Sequence, residues 1–347
     1  MSKTKSKKIW IEYLRVLAII AVITIHVTTS TYNNFGQIEL LNWLFASFLN
    51  SFSRFAVPIF VMVSGCVLLG RDVKIKKFYV SRGMRLIPAI LFWSLFYVAF
   101  DYIYNNPDLS SMLWKLKFGI FISGQSYYHL WYLSMYLCLM LFFPFINNYI
   151  LGRKPSIEDF YIIIGIFSLF MMLNQISIFM KEVLHIGITW FKSFPWFIGY
   201  FIIGYFIDTY TNKIKISNLT TIIIIFIILA LTNILNFYSS SALGIVKDTL
   251  IINNVGIFDF ILTISIFYLF SNNREIFKEN NLVSSISSMS FGIYLIHPVF
   301  MEIFFRNLNP YVETTLVYLP LLVFITFSSS YLAILVFTKF KWFKALC

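Results

Sequence analysis

Ten apolar runs of roughly twenty residues recur along this 347-residue chain. An α-helix needs about that length to cross a hydrocarbon layer of about 30 Å. The runs cover residues 9–29, 43–69, 86–104, 130–150, 160–180, 194–210, 219–238, 254–270, 290–305 and 315–337. A backbone surrounded by lipid must satisfy its own amide groups, so only helices or a closed barrel can span a bilayer. Sustained apolar–polar alternation, the mark of a membrane barrel, is absent. The expectation is an all-α membrane protein of ten transmembrane helices, with both termini in the cytoplasm.

Composition excludes the soluble alternative. Apolar residues make up 59% of the chain and charged residues 12%, and the mean hydropathy is +0.80. A soluble chain carries about 25% charge, and 12% is too little to cover its surface. The net charge of +12 would suggest nucleic acid in a soluble protein. Here it has a different origin, because membrane proteins concentrate Lys and Arg on the cytoplasmic side. With alternating spans, 19 of the 27 Lys and Arg residues fall on the side of the N-terminus and 6 on the other; Arg15 and Arg54 lie inside spans. We therefore expect no nucleic-acid partner. The four lysines before the first span and the lack of a small-residue cleavage site read as an uncleaved anchor.

No composition shift marks a soluble domain, and no internal repeat suggests a repeat-built transporter. The chain reads as one membrane-embedded domain over residues 1–347. Residues 112–128, half apolar with Lys115 and Lys117, read as an interfacial or re-entrant segment or else an exposed loop. Cys66, Cys138 and Cys347 are far apart, with no metal or disulfide spacing. The four histidines form no ligand motif, and no metal is expected.

Ionisable groups inside a membrane usually face a cavity or a partner. The first run holds Glu12, Arg15 and His26. Arg15 and His26 are eleven residues apart, nearly three turns, so they share one helix face about 16 Å apart along the axis. Ile19 and Val22 lie between them on that stripe, with Ala18 beside them. The face is suited to line a narrow tunnel. Glu12 is three residues before Arg15, within ion-pair reach. The alternative is that Arg15 snorkels and His26 is a packing residue; the alignment of the two favours function.

Further along, Arg54 precedes Pro58 and Ser64-Gly65. A Ser-Gly pair permits close helix approach, and Ser64 as a nucleophile is the weaker reading. Arg82 and Arg85 sit three apart at the mouth of the third span. Their planar forks suit phosphate oxygens, although ordinary contact with anionic lipid explains them equally well. His129 and Trp131 lie in an aromatic stretch that suits either a membrane belt or a sugar-binding rim. His297 precedes Pro298, a proline tolerated at depth where a cavity or neighbouring helix satisfies the freed carbonyl, and Glu302 follows. His185 falls in an outer loop.

These motifs, Arg15-x10-His26, the run ending Ser64-Gly65, Arg82-x-x-Arg85, His129-Leu-Trp131 and Tyr-x-x-His297-Pro298, resemble the bacterial integral-membrane acyltransferases of acyltransferase family 3. The likeness runs over nearly the whole chain, in order. It is most similar to the stand-alone O-acetyltransferases of the enterobacterial-common-antigen type, through Asn50-Ser-Phe-Ser-Arg54-x-x-Val-Pro58 and Tyr128-His-Leu-Trp131. Glu12 departs from the family, where many members have Asp.

The resemblance implies that acetyl-CoA is the acyl donor, entering from the cytoplasm. It implies that a hydroxyl of a surface polysaccharide or its lipid-linked precursor is the acceptor. By the same resemblance His26 is the catalytic base, Arg15 is needed with it, and Arg82 and Arg85 bind the donor. His129, Trp131, His297 and Ser64 are candidate substrate contacts. A pantetheine arm along the Ile19–Val22 stripe would bring the thioester to His26. The rival class is a glycan transporter or exporter without chemistry, which ten spans with buried charges would also serve. A bacterial inner membrane is the expected location.

Overall fold

The computed structural model describes residues 8–105, 110, 126–184, 196–246, 251, 255–308, 315–340, 343 and 346. The segment expected at 112–128, save its last three residues, lies outside the described residues, as does His185. Among the described residues eleven α-helices follow one another: α1 Ile9–Asn33, α2 Leu40–Ser53, α3 Ala56–Leu68, α4 Ile75–Asn105, α5 Trp131–Arg153, α6 Ile157–Leu184, α7 Trp196–Tyr210, α8 Asn218–Leu243, α9 Ile257–Asn272, α10 Asn281–Leu308 and α11 Thr315–Phe337. Strands are absent among the described residues.

Among the described residues eight helical runs are long and apolar enough to cross a membrane, with α2 and α3 counted as one run, Leu40–Leu68. The other two expected spans, 194–210 and 254–270, are held by the shorter helices α7, of 15 residues, and α9, of 16. The chain is an all-α membrane protein. Two helices begin well before the apolar runs they hold: α4 at Ile75, ahead of the run from 86, and α10 at Asn281, ahead of the run from 290. Both extensions carry polar residues, which hydropathy discounts: Lys and Arg in α4, mainly Ser in α10.

The second span is broken where its sequence requires it. Proline at 58 has no N–H to donate to the carbonyl of Arg54, and its ring crowds that carbonyl. The helix accordingly stops at Ser53 and restarts at Ala56, leaving Arg54 and Phe55 in a turn. Ends elsewhere are capped locally. Ser156 and Asp159 exchange side-chain to backbone bonds of 3.3 and 2.7 Å at the start of α6, a reciprocal cap. Ser217 accepts from the Thr220 N–H at 3.0 Å to open α8.

Two compact units interleave along the chain. The first comprises Met1–Leu68, Pro155–Ser290 and Ile296–Tyr331, the second Leu69–Lys154, Phe291–Leu295 and Leu332–Cys347.

In the first unit the tightest crossing is α3 on α7. A Cβ built on Gly65 would lie 1.7 Å from the Phe201 carbonyl oxygen, and one on Gly204 would lie 2.2 Å from that of Met62. Neither helix could come this close with a larger residue, as small residues allow in membrane interfaces. The unit also gathers the helix ends that strict alternation assigns to one side. Lys8, before α1, pairs with Asp208 of α7 and donates to the Cys66 carbonyl of α3 at 3.5 Å. Arg274, after α9, lies 3.8 Å from Asp208, and Tyr13 donates to the Lys278 carbonyl just before α10 at 3.0 Å. At the opposite ends Trp43 donates to the Tyr32 carbonyl at 2.8 Å and stands near Phe237 of α8.

In the second unit α4 lies against α5. Phe78 stacks on Phe143 at 4.1 Å, and Tyr79 donates to the Leu141 carbonyl at 2.9 Å. Buried Asn147 holds the turn that leads into α4 by accepting from Gly70 N–H at 2.9 Å and donating to the Arg71 carbonyl at 2.8 Å. Each such bond contributes about 1 kcal/mol. Trp93 of α4 donates to the Leu346 carbonyl at 3.1 Å, which ties down the end of the chain.

Candidate active site

α1 runs unbroken from Ile9 to Asn33, so Arg15 and His26 do sit about 16 Å apart along one helix. His26 is half-buried as a residue. Against it lies His297 of α10, fully buried, with ring centroids 5.3 Å apart and planes inclined by 26°. Two imidazoles distant in sequence thus stack inside the first unit.

A third group stands with them. Arg54, in the turn between α2 and α3, is within electrostatic reach of His26. Its Nε donates to Asn50 Oδ1 at 2.9 Å. Asn50 is fully buried, and its amide donates to Thr28 Oγ1 at 3.0 Å and to the Ile25 carbonyl at 3.3 Å. Asn50 therefore fastens Arg54 to the turn of α1 that carries His26. Neither Asn50 nor Arg54 stood out as a site residue in the sequence. A charge at the midpoint of the 29-residue run Leu40–Leu68, four residues before a proline, was the available signal.

The other expected residues are distributed differently. Ala18, Ile19 and Val22 are 0%, 0% and 2% exposed. The stripe between Arg15 and His26 is therefore buried. Nearly four turns from His26, Glu12 accepts from Ser284 Oγ at 2.6 Å, and Arg15, three turns away, is half-buried. Ser64 donates to the Phe60 carbonyl of its own helix at 2.9 Å, while its neighbour Gly65 makes the close crossing already described.

Arg82, Arg85, His129 and Trp131 belong to the second unit. Arg82 is half-buried with its guanidinium 5.5 Å from the Phe78 ring centre, and Arg85 is exposed with its own 5.7 Å from that of Phe291. Both lie within α4, not at its mouth. Cation–π packing of this kind holds a guanidinium plane in place. His129 is fully buried rather than at a rim. Tyr97, Tyr127, Tyr128 and Tyr294 surround its ring at 4.8–5.8 Å. The Tyr294 hydroxyl donates to the His129 carbonyl. Trp131 is half-buried, its ring 6.4 Å from that of Tyr132.

The family model of an acyltransferase domain matches residues 8–335 and so runs through both units. The chain belongs to acyltransferase family 3. No curated protein and no solved structure gives a significant match. Membership makes this chain a membrane acyltransferase, with an acyl donor, a substrate and a bilayer as its partners. For such an enzyme the stacked imidazoles and the guanidinium beside them are the groups best placed to handle protons and charge, because acyl transfer needs a base for the acceptor hydroxyl and a stabiliser for the developing oxyanion.

Proposed function

We propose that the enzyme transfers an acetyl group from cytoplasmic acetyl-CoA to a hydroxyl of a cell-surface polysaccharide or its lipid-linked precursor, with His26 as general base. The observation that carries this reading is the stacked pair His26–His297 in a chain that matches the acyltransferase domain over residues 8–335. His26 is half-buried and its partner is wholly buried, an arrangement that suits a base held by a support. His26 removes the hydroxyl proton, the oxygen attacks the thioester carbonyl, and the departing thiolate recovers the proton from the imidazolium. His297 fixes the ring. Arg82 and Arg85 receive the phosphates of the donor, with Phe78 and Phe291 holding their planes. Trp131 offers a stacking face to the glycan, and the buried His129 sets the surrounding tyrosines. Arg15 and Glu12 order the opposite end of α1. On this reading the protein sits in the bacterial inner membrane with its termini inside, and its short motifs resemble those of the O-acetyltransferases of the enterobacterial-common-antigen type.

The test is membrane vesicles bearing the full-length protein, supplied with [14C]acetyl-CoA. Base-labile label in the glycan fraction, together with loss of ester-linked acetyl from the surface glycans of a deletion strain by mass spectrometry, supports the reading. Unchanged acetylation in the deletion strain with impaired glycan export would replace it with the transporter class.

A further inference from the structure

The guanidinium of Arg54 has a feature that packing alone does not require. It lies at the midpoint of an apolar run, where an isolated charge is costly. Its Nε is committed to Asn50. Among the described residues no hydrogen bond engages its two terminal nitrogens, and the side chain keeps accessible surface. The helix break that Pro58 imposes puts it in a turn. Asn50 ties that turn to Ile25 and Thr28 on either side of His26, and Thr28 in turn donates to the Thr24 carbonyl at 2.7 Å. A cation held by a buried relay, two donors uncommitted, within electrostatic reach of His26, is an arrangement that binds negative charge appearing at that spot.

We propose that Arg54 is the oxyanion-stabilising residue of this enzyme, an inference that rests on His26 being the base. When the acceptor oxygen adds to the thioester carbonyl, the carbonyl π pair moves onto oxygen, and the terminal nitrogens of Arg54 donate to that oxyanion. Reforming the C=O bond expels the CoA thiolate, which takes the proton held on His26. The ester and free CoA thiol are the products, and nothing further is consumed. Asn50 is the positioning residue, since it touches only Arg54 and the backbone and hydroxyls of α1.

The experiment uses the full-length protein in membrane vesicles, [14C]acetyl-CoA, and the base-labile label in the glycan fraction. Arg54→Gln lowers kcat by about 100- to 1000-fold, the usual effect of removing one oxyanion donor, with KM for acetyl-CoA changed less than about threefold. Arg54→Lys retains a larger share of the rate, and Asn50→Ala falls between it and the wild type. Millimolar guanidinium restores part of the rate to Arg54→Ala and none to His26→Ala. A loss in Arg54→Gln that follows the amount of folded protein, with no guanidinium rescue, would reduce Arg54 to a packing role and overturn the proposal. A raised acceptor KM at unchanged kcat would make it a docking contact instead, and also overturn it. Transfer within about threefold of wild type in Arg54→Gln, with His26→Ala silent, sinks this inference and leaves the general base in place. Absence of transfer by the wild type sinks both.

Discussion

The first unit holds two charged clusters that differ in how completely their charges are matched. At one end the Asp208 carboxylate stands between two cations, hydrogen-bonded to Lys8 through Oδ2 and 3.8 Å from Arg274 through Oδ1. Lys8 pairs with Asp208 and lies 3.4 Å from Cys66 Sγ, and Arg274 donates to the Ser271 carbonyl at 2.9 Å and to its hydroxyl at 3.1 Å. Burial pulls the Lys8 ammonium toward a lower pKa, but Cys66 and the Asp208 carboxylate together push the other way and leave it above the ordinary lysine value. The second cluster sets Arg54 within electrostatic reach of His26, with His297 stacked on the His26 ring. The contrast separates two uses of charge in one bundle. The closed cluster, around Asp208, fastens helix ends, and the cluster at His26 is where the reaction is proposed to occur.

Substitutions should divide along the same line. His297→Ala removes the ring that supports His26, and loosening a base by a fraction of an ångström costs up to about 100-fold in rate. The folded amount should change little, and a kcat measurement on labelled transfer checks both. If the rate drops only as far as the folded amount, the stacked pair is part of the core.

Acidification should act on the same centre. With His26 as base, kcat/KM falls about tenfold per pH unit once the imidazole is protonated, and a pH–rate profile with no acid limb would contradict the base role. The closed cluster should be indifferent over that range as far as Lys8 is concerned. A group whose folded pKa is raised contributes stability below its unfolded value, about 10.4 for lysine, and loses it only as pH climbs through the folded value. Thermal unfolding between pH 7 and 9 should show no change from this group.

Asp208→Ala leaves Lys8 and Arg274 facing each other without their carboxylate. Those side chains are 31% and 34% exposed, so the cost of a broken buried pair is reduced by solvent to about 2 kcal/mol. The melting temperature should fall by several degrees while the rate per folded molecule stays near wild type. A specific loss of turnover would show that this cluster also serves the reaction.

The smallest effect is expected for Ser64→Ala. Its hydroxyl donates to Phe60, a bond internal to one helix, and the rate should stay within about twofold. A silent enzyme would revive the serine nucleophile.

Much of the fold was legible in advance because hydropathy and backbone chemistry leave few options in a bilayer. The ten apolar runs each hold a helix, and the contacts in the first unit join helix ends in the alternation that charge counting suggested. The starts of α4 and α10 were not legible, since a polar helical turn beyond the apolar run carries no hydropathy signal. The site was legible only in part. His26 and Arg15 announced themselves as charges on one face, yet nothing in the spacing could say that Ile19 and Val22 would be sealed. His297 was visible as a histidine beside a proline, but its partner is set by how α10 packs on α1, which no local pattern encodes. Arg54 and Asn50 gained meaning only once the Pro58 break placed them beside α1. His129 shows the converse: an aromatic stretch reads the same whether it rims a surface or encloses a side chain.

The most direct test is His26→Ala in vesicles given [14C]acetyl-CoA, with protein amount and thermal unfolding measured on the same samples. The account predicts normal insertion, an unfolding temperature near that of the wild type, and transfer reduced by about 100- to 10,000-fold, the range a general base supplies. Acetylation at the wild-type rate by a correctly folded His26→Ala protein would contradict it.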